Sequence, residues 1–221
     1  MKPAYFITGT DTNVGKTYTT LALMHYYQQQ GKTVIGMKPV ASGCTLHDGQ
    51  LKNDDALLIQ QHASIAVDYE LINPYAYLQP VSPHIAGANN PVELIRVGDV
   101  LRTLQNMADI VLVEGVGGWY APINNQQAVS DMAKYLGLPV ILVVAIRLGC
   151  INHARLTDEA IRASGLPYIG WIANCTDHDM MKRDETIATI KKILDVPLLG
   201  VLPYQETVDF DVLARMLLGM S

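Results

Sequence analysis

Thr8-Gly9-Thr10-Asp11-Thr12-Asn13-Val14-Gly15-Lys16-Thr17 is the stretch in which residue types and spacing point most directly to chemistry. A short apolar run, residues 4–7, precedes it, and a helix is expected over about residues 16–30. A glycine-containing loop between strand and helix that ends in Gly-Lys-Thr is a phosphate cradle. Its backbone N–H groups and the helix N-terminus point at phosphate oxygens. Lys16 reaches the β- and γ-phosphates, and the Thr17 hydroxyl offers an oxygen to Mg²⁺. The usual spacing leaves four residues between the first glycine and Gly-Lys; here Gly9 is followed by five, and Thr10 stands at the expected glycine. A chance Gly-Lys-Thr at a helix start would leave the strand–loop–helix context unexplained.

Other candidates stand at the ends of apolar runs. Lys38 leaves the run 33–37 and is followed by Pro39, which stops a regular central strand. On the same sheet edge as the cradle it would be a second cation for a transferring phosphoryl group; otherwise it is a surface lysine at a strand end. Glu114 ends the run 110–113 and precedes Gly115-Val116-Gly117-Gly118. An acidic strand end of this kind holds Mg²⁺ beside phosphate loops, and the glycines let backbone approach a ligand closely. Asp54 and Asp55 precede an apolar helical segment, so one suits an N-cap and the other a Mg²⁺ ligand, and spacing does not choose between them. Leu148-Gly149-Cys150-Ile151-Asn152-His153 opens a helix whose N-terminus suits a carboxylate. His153 is a weak candidate for a general base. Asn174 has both donor and acceptor, so it could read a purine edge or cap the next turn.

The elements that must position these groups alternate regularly. Strands are expected at residues 4–7, 33–37, 110–113, 140–145, 168–173 and 198–202, and helices at 56–62, 92–107, 129–136, 151–164, 181–194 and 208–218. Continuous apolar strands alternating with helices predict an α/β fold, a P-loop NTPase-like, mainly parallel sheet with helices on both faces. Residues 45–53 and 72–91 read as long loops, and loops at the carboxyl ends of such strands form the ligand crevice. The 221 residues fit one domain, 1–221, with a substantial core.

Composition narrows the function classes. A formal net charge of −5 without a basic run argues against a nucleic-acid partner. No apolar run is long enough to span a bilayer, and Met1-Lys2 leads almost directly into the first strand, leaving no room for a signal peptide. Cys44, Cys150 and Cys175 are odd in number and widely spaced, which argues against disulfides or zinc and fits a reducing cytoplasm.

Together these motifs resemble the dethiobiotin synthetases of the biotin pathway. The matching pieces run in family order: residues 9–17, Lys38-Pro39-Val40-Ala41-Ser42-Gly43, Asp54-Asp55-Ala56-Leu57, Pro80-Val81-Ser82-Pro83-His84, Val113-Glu114-Gly115-Val116-Gly117-Gly118-Trp119, Leu148 to His153, and Leu199-Gly200-Val201-Leu202-Pro203. The resemblance implies an ATP- and Mg²⁺-dependent cyclo-ligase that joins 7,8-diaminononanoate and CO2 into dethiobiotin, with ATP as co-substrate. It implies Lys16 and Lys38 as catalytic residues and Thr17, Asp55 and Glu114 as Mg²⁺ ligands. It implies nucleotide contacts from Asn13, Val14, Gly15, Lys16, Thr17, Tyr18, Asp55, Glu114, Gly115, Val116, Gly117, Asn174, Cys175, Pro203, Tyr204 and Gln205. Thr12 and Ser42 would hold the carbamate or the diamine.

The family acts as a homodimer, in which the substrate carboxylate lies against Gly149, Cys150, Ile151 and Asn152 of the neighbouring subunit. Two departures stand out: Asn13 is often Glu in the family, and Cys175 replaces an acidic residue. A regulatory ATPase of the partition and division-site class shares the expected fold, but its phosphate loop usually has a lysine where this chain has Asp11. An amide-forming ligase fed by a glutaminase would need a further domain, which does not fit after Leu202.

Overall fold

Apolar runs too short for helices, separated by longer amphipathic stretches, fold here as strands joined by helical crossovers. A computed structural model describes residues 2–217. The chain runs β1 (Ala4–Gly9), α1 (Lys16–Gln29), β2 (Val34–Met37), β3 (Val40–Ser42), β4 (Thr45–His47), β5 (Gln50–Lys52), α2 (Asp54–Gln61), α3 (Tyr69–Ile72), β6 (Tyr75–Tyr77) and α4 (Pro83–Ala86). It continues with α5 (Leu94–Met107), β7 (Ile110–Glu114), α6 (Val129–Leu136), β8 (Val140–Ala145), α7 (Cys150–Ala163), β9 (Tyr168–Asn174), α8 (Arg183–Ile193), β10 (Leu198–Leu202) and α9 (Phe210–Arg215).

Six strands form the main sheet in the order β10-β9-β8-β1-β7-β2, with every pairing parallel. β7 and β8 are buried along their whole length, as strands covered on both faces must be. From β1 the chain first moves to the β2 edge, then returns through β7 and crosses to β8. Right-handed crossovers therefore put α1 on one face and α5 to α8 on the other. α9 closes back onto α1, and α2 packs against α1 and β2. That approach is close: a Cβ on Gly36 of β2 would lie 2.4 Å from Ile59 Cγ2, so glycine lets α2 seat against the strand. The order reverses at β1, and the crevice outside its carboxyl end is where such sheets bind ligands.

Both stretches expected to be long loops contain strands. Residues 45–53 include the antiparallel hairpin β4–β5, turned at Asp48 and Gly49 with φ 48° and 83°. Two adjacent left-handed residues of this type make a tight hairpin turn, and its mostly exposed side chains hide the usual alternation. Residues 72–91 include β6, which pairs in parallel with β3, and the short helix α4. A three-residue strand has no periodicity to read; its partner in space defines it. The expected helix 208–218 is observed as Phe210–Arg215, and its expected end at 218 lies outside the described residues. The three cysteines are free and buried. Among the described residues no helix is long and apolar enough to cross a membrane.

Candidate active site

The phosphate loop leaves the carboxyl end of β1 and feeds α1, with Gly15 at the N-cap. Gly15 has φ 83°, and a Cβ there would stand 1.8 Å from Asn174 Nδ2. Two independent reasons therefore require glycine. Asn13, at φ 57°, is also left-handed, a conformation that asparagine tolerates better than most residues. Asn174, at the end of β9, donates from Nδ2 to the Val14 carbonyl at 2.9 Å. Of the two roles left open by the sequence it does not take the cap: its Nδ2 braces the phosphate loop at Val14 instead. Lys16 curls over the loop, and its Nζ donates to the Asp11 carbonyl at 2.9 Å. Burial pushes Lys16 down to about 8; Glu114 opposes that shift and Lys38 adds to it.

Glu114 ends β7 fully buried beneath the loop. Its Oε1 accepts from Thr17 Oγ1 at 2.9 Å and from Lys38 Nζ at 2.8 Å, and its Oε2 accepts from Thr20 Oγ1 at 3.1 Å. Lys38 Nζ also donates to Asp55 Oδ2 at 2.5 Å. Burial works against the Lys38 charge, but Glu114 and Asp55 together outweigh it and hold the ammonium above its ordinary value. The ammonium is thus held between two carboxylates, and Lys38 is buried rather than a surface lysine.

The local structure explains that placement. The Lys38 N–H donates to the Ile72 carbonyl at 2.8 Å, and Asn73 Nδ2 donates to the Lys38 carbonyl at 2.7 Å. Asn73 Oδ1 accepts from Tyr69 Oη at 3.0 Å, and that oxygen accepts from the Asn53 N–H at 2.7 Å. Asn53 is also the N-cap of α2, its side chain accepting from the Ala56 N–H at 3.3 Å. Neither Asp54 nor Asp55 is the cap, contrary to expectation: both occupy the first turn, where carboxylates suit the helix dipole. One chain of hydrogen bonds therefore ties the start of α2, which carries Asp55, to the backbone of Lys38.

These groups open into a cavity of about 910 Å³. Of the residues singled out from sequence, Thr12, Asn13, Gly15, Lys16, Thr17, Tyr18, Lys38, Ser42, Asp55, Glu114, Val116, Gly117, Asn174, Cys175, Pro203, Tyr204 and Gln205 line it. Val14 and Gly115 are buried and do not line it. The Ser42 hydroxyl is buried without a hydrogen-bond partner among the described residues. Pro80 to Pro83 form part of the wall. Gly149, Cys150, Ile151 and Asn152 do not reach this cavity: they begin α7, beside Leu148, which is 99% exposed. His153 is on the exposed side of α7 and likewise does not line the cavity of its own chain.

Thr20, Asn53, Tyr69 and Asn73 were missed from sequence. A signal existed for Thr20, which stands three residues after Thr17 on one helix face; none existed for Asn73, whose partners are fixed only by folding. A hydroxyl and two carboxylates, Thr17, Asp55 and Glu114, form an all-oxygen donor set, the type that suits Mg²⁺ completed by water and phosphate oxygens. The Thr17–Glu114 bond shows that two of these donors converge.

A phosphate loop at the switch point of a parallel sheet, facing a buried lysine and two carboxylates, defines a P-loop nucleotide-dependent protein. The family described as an AAA domain matches residues 3–211. The fold is similar to that of the MinD cell division protein of Aquifex aeolicus, with a TM-score of 0.58 at 16% identity over 96% of this chain and 86% of that one. Among curated proteins, the ATP-dependent dethiobiotin synthetase BioD of Aromatoleum aromaticum is 44% identical over 93% of this chain and 92% of its own length. The same-named protein of Nitrosospira multiformis is 45% identical over 100% and 99%. The chain belongs to the family of ATP-dependent dethiobiotin synthetases, which are ligases.

Proposed function

We propose that this chain, acting as one domain, carboxylates and cyclises 7,8-diaminononanoate with CO2 to dethiobiotin, consuming ATP with Mg²⁺. One amine adds to CO2, losing a proton, and becomes a carbamate. A carbamate oxygen attacks the γ-phosphorus, the bond to the β-phosphate oxygen breaks, and ADP leaves. The mixed carbamic–phosphoric anhydride is then attacked at its carbonyl carbon by the second amine, which loses a proton as phosphate departs and the ureido ring closes.

The arrangement of two buried ammonium groups at the phosphate loop carries this reading. Carbamate and γ-phosphate are both anions, and bringing them into line requires fixed positive charge. Lys16 supplies it from the loop, and Lys38 from just beyond the end of β2. Thr17, Asp55 and Glu114 would hold Mg²⁺, which when bound neutralises phosphate oxygens. The Ser42 hydroxyl, buried on the cavity wall without a partner among the described residues, is suited to hold the carbamate or diamine together with Thr12. Asn174 Oδ1 is left for an exocyclic amine of the base, because its Nδ2 is committed to Val14. Tyr204 and Gln205, beside Pro203 and Cys175, would border the same base.

The start of α7 is an exposed helix N-terminus suited to a carboxylate. Since it does not line this chain's own cavity, the proposal makes the enzyme a cytoplasmic homodimer in which residues 149–152 of one subunit complete the site of the other. The test is diaminononanoate-dependent phosphate release with ATP, Mg²⁺ and bicarbonate, with the product identified by mass. Dethiobiotin formed in step with phosphate is expected. ATP hydrolysis indifferent to the diamine would overturn the proposal in favour of a switch ATPase.

A further inference from the structure

The two oxygens of Glu114 face different partners. Oε1 meets Thr17 and Lys38, which both line the cavity. Oε2 points back toward α1 and accepts from Thr20 Oγ1 at 3.1 Å. Thr20 is fully buried and does not line the cavity. It lies three residues beyond Thr17 on α1, so both hydroxyls emerge on the face that meets β7. A helical threonine ordinarily has the option of bonding a carbonyl in its own preceding turn; this one bonds the carboxylate instead.

We infer that Thr20 is a positioning residue, which sets the rotation of the Glu114 carboxylate so that Oε1 is presented to the metal and phosphate side of the cavity. The inference rests on Glu114 being a metal ligand, as proposed above. The terminal torsion of a glutamate is broad and roughly two-fold, so the backbone does not fix it. Thr17 and Lys38 hold one oxygen and leave the carboxylate free to pivot about it. Thr20 supplies the second point. Without its hydroxyl, Oε2 would be a buried acceptor lacking its donor, and rotation would let both oxygens share Thr17 and Lys38, turning Oε1 away from the cation. Partners behind a ligating carboxylate typically change metal affinity by about 10–100-fold; since Glu114 keeps two of its three donors, the lower end, about tenfold, is expected.

The test compares Thr20→Val, Thr20→Ser and Glu114→Gln with the unmodified full-length protein. Mn²⁺ binding in the presence of ADP is followed by electron paramagnetic resonance, and the Mg²⁺ dependence of phosphate release is measured in parallel. Thr20→Val should weaken Mn²⁺ about tenfold and raise the Mg²⁺ needed for half-maximal turnover, with kcat recovering at saturating Mg²⁺. Thr20→Ser, which keeps the hydroxyl, should restore both readouts. Thr20→Ala provides the same comparison should the valine variant not fold. Unchanged Mn²⁺ affinity in the variant lacking the hydroxyl, while Glu114→Gln weakens it, would overturn the role of Thr20 alone. A serine variant as weak as the valine variant would do the same. Unchanged affinity in Glu114→Gln would instead overturn Glu114 as a ligand.

Discussion

Replacing Asn73 should damage both the fold and the delivery of Lys38. Asn73 is buried and donates to the Lys38 carbonyl at 2.7 Å and the Tyr75 carbonyl at 3.3 Å, while accepting from Tyr69 Oη at 3.0 Å. In Asn73→Ala the Lys38 carbonyl and the Tyr69 hydroxyl each lose a partner in a buried setting, at about 1–3 kcal/mol apiece. The sum is about 2–6 kcal/mol, its lower end corresponding to a water entering the space left. For a chain of this size each kcal/mol moves Tm by about 2–4 °C, so a fall of about 4–24 °C is expected. Asn73→Asp keeps the shape but replaces the donor by an acceptor facing two carbonyls, and at pH 8 should cost at least as much as alanine. Urea unfolding with an unchanged m value measures the stability. Turnover should fall about 10- to 100-fold through misplacement of Lys38. An aspartate variant as stable and active as the unmodified protein would refute the hydrogen-bond argument; an alanine loss without an aspartate loss would mean that the site needs volume rather than a donor.

Lys16→Ala and Lys38→Ala should each lower kcat by at least about 10²-fold, the scale for removing one preorganised charge-stabilising group, while far-ultraviolet circular dichroism stays that of the folded protein; near-normal turnover in either would remove that lysine from the mechanism. Gly15→Ala should weaken nucleotide binding measured by calorimetry, because its Cβ would displace the Asn174 amide that braces Val14; equal affinity would show that the brace is dispensable. His62, bonded to His25 between α1 and α2, is held below its ordinary value by burial, reinforced by His25 and opposed by Asp211. Its folded pKa therefore lies below the unfolded one, so its contribution to stability is complete above pH 6.5 and is lost as pH falls from there through the folded pKa. Thermal melts between pH 7.5 and 5 should show this decline, and His62→Gln should flatten it; a decline of identical size in the variant would assign the effect to other groups.

The most local features of this chain could be read without its structure. The phosphate loop is contiguous, and a strand followed by Gly-Lys-Thr and a helix means nearly the same in any context. The six main strands are largely apolar because both faces of the sheet are covered, and that demand shows directly in composition. The short strands are different: β3 and β6 exist only because residues 40–42 and 75–77 pair with each other. The cap of α2 was misplaced by one or two residues, since Asn53, Asp54 and Asp55 are all capable of capping and only the backbone at Asn53 turns extended.

The sequence by itself therefore determined the family, the parallel sheet and the cradle, because these depend on contiguous residues and on the polarity of whole segments. Tertiary structure alone decided which groups share one charge cluster. Thr20 and Glu114 are 94 residues apart, Lys38 and Glu114 are 76 apart, and Asn73 reaches back 35 residues to the Lys38 carbonyl. It also decided that residues 149–152 stand away from the cavity of their own chain. Contacts of this kind carry no local periodicity or composition; they arise where the carboxyl ends of parallel strands, each folded for its own burial, are brought to one edge of the sheet.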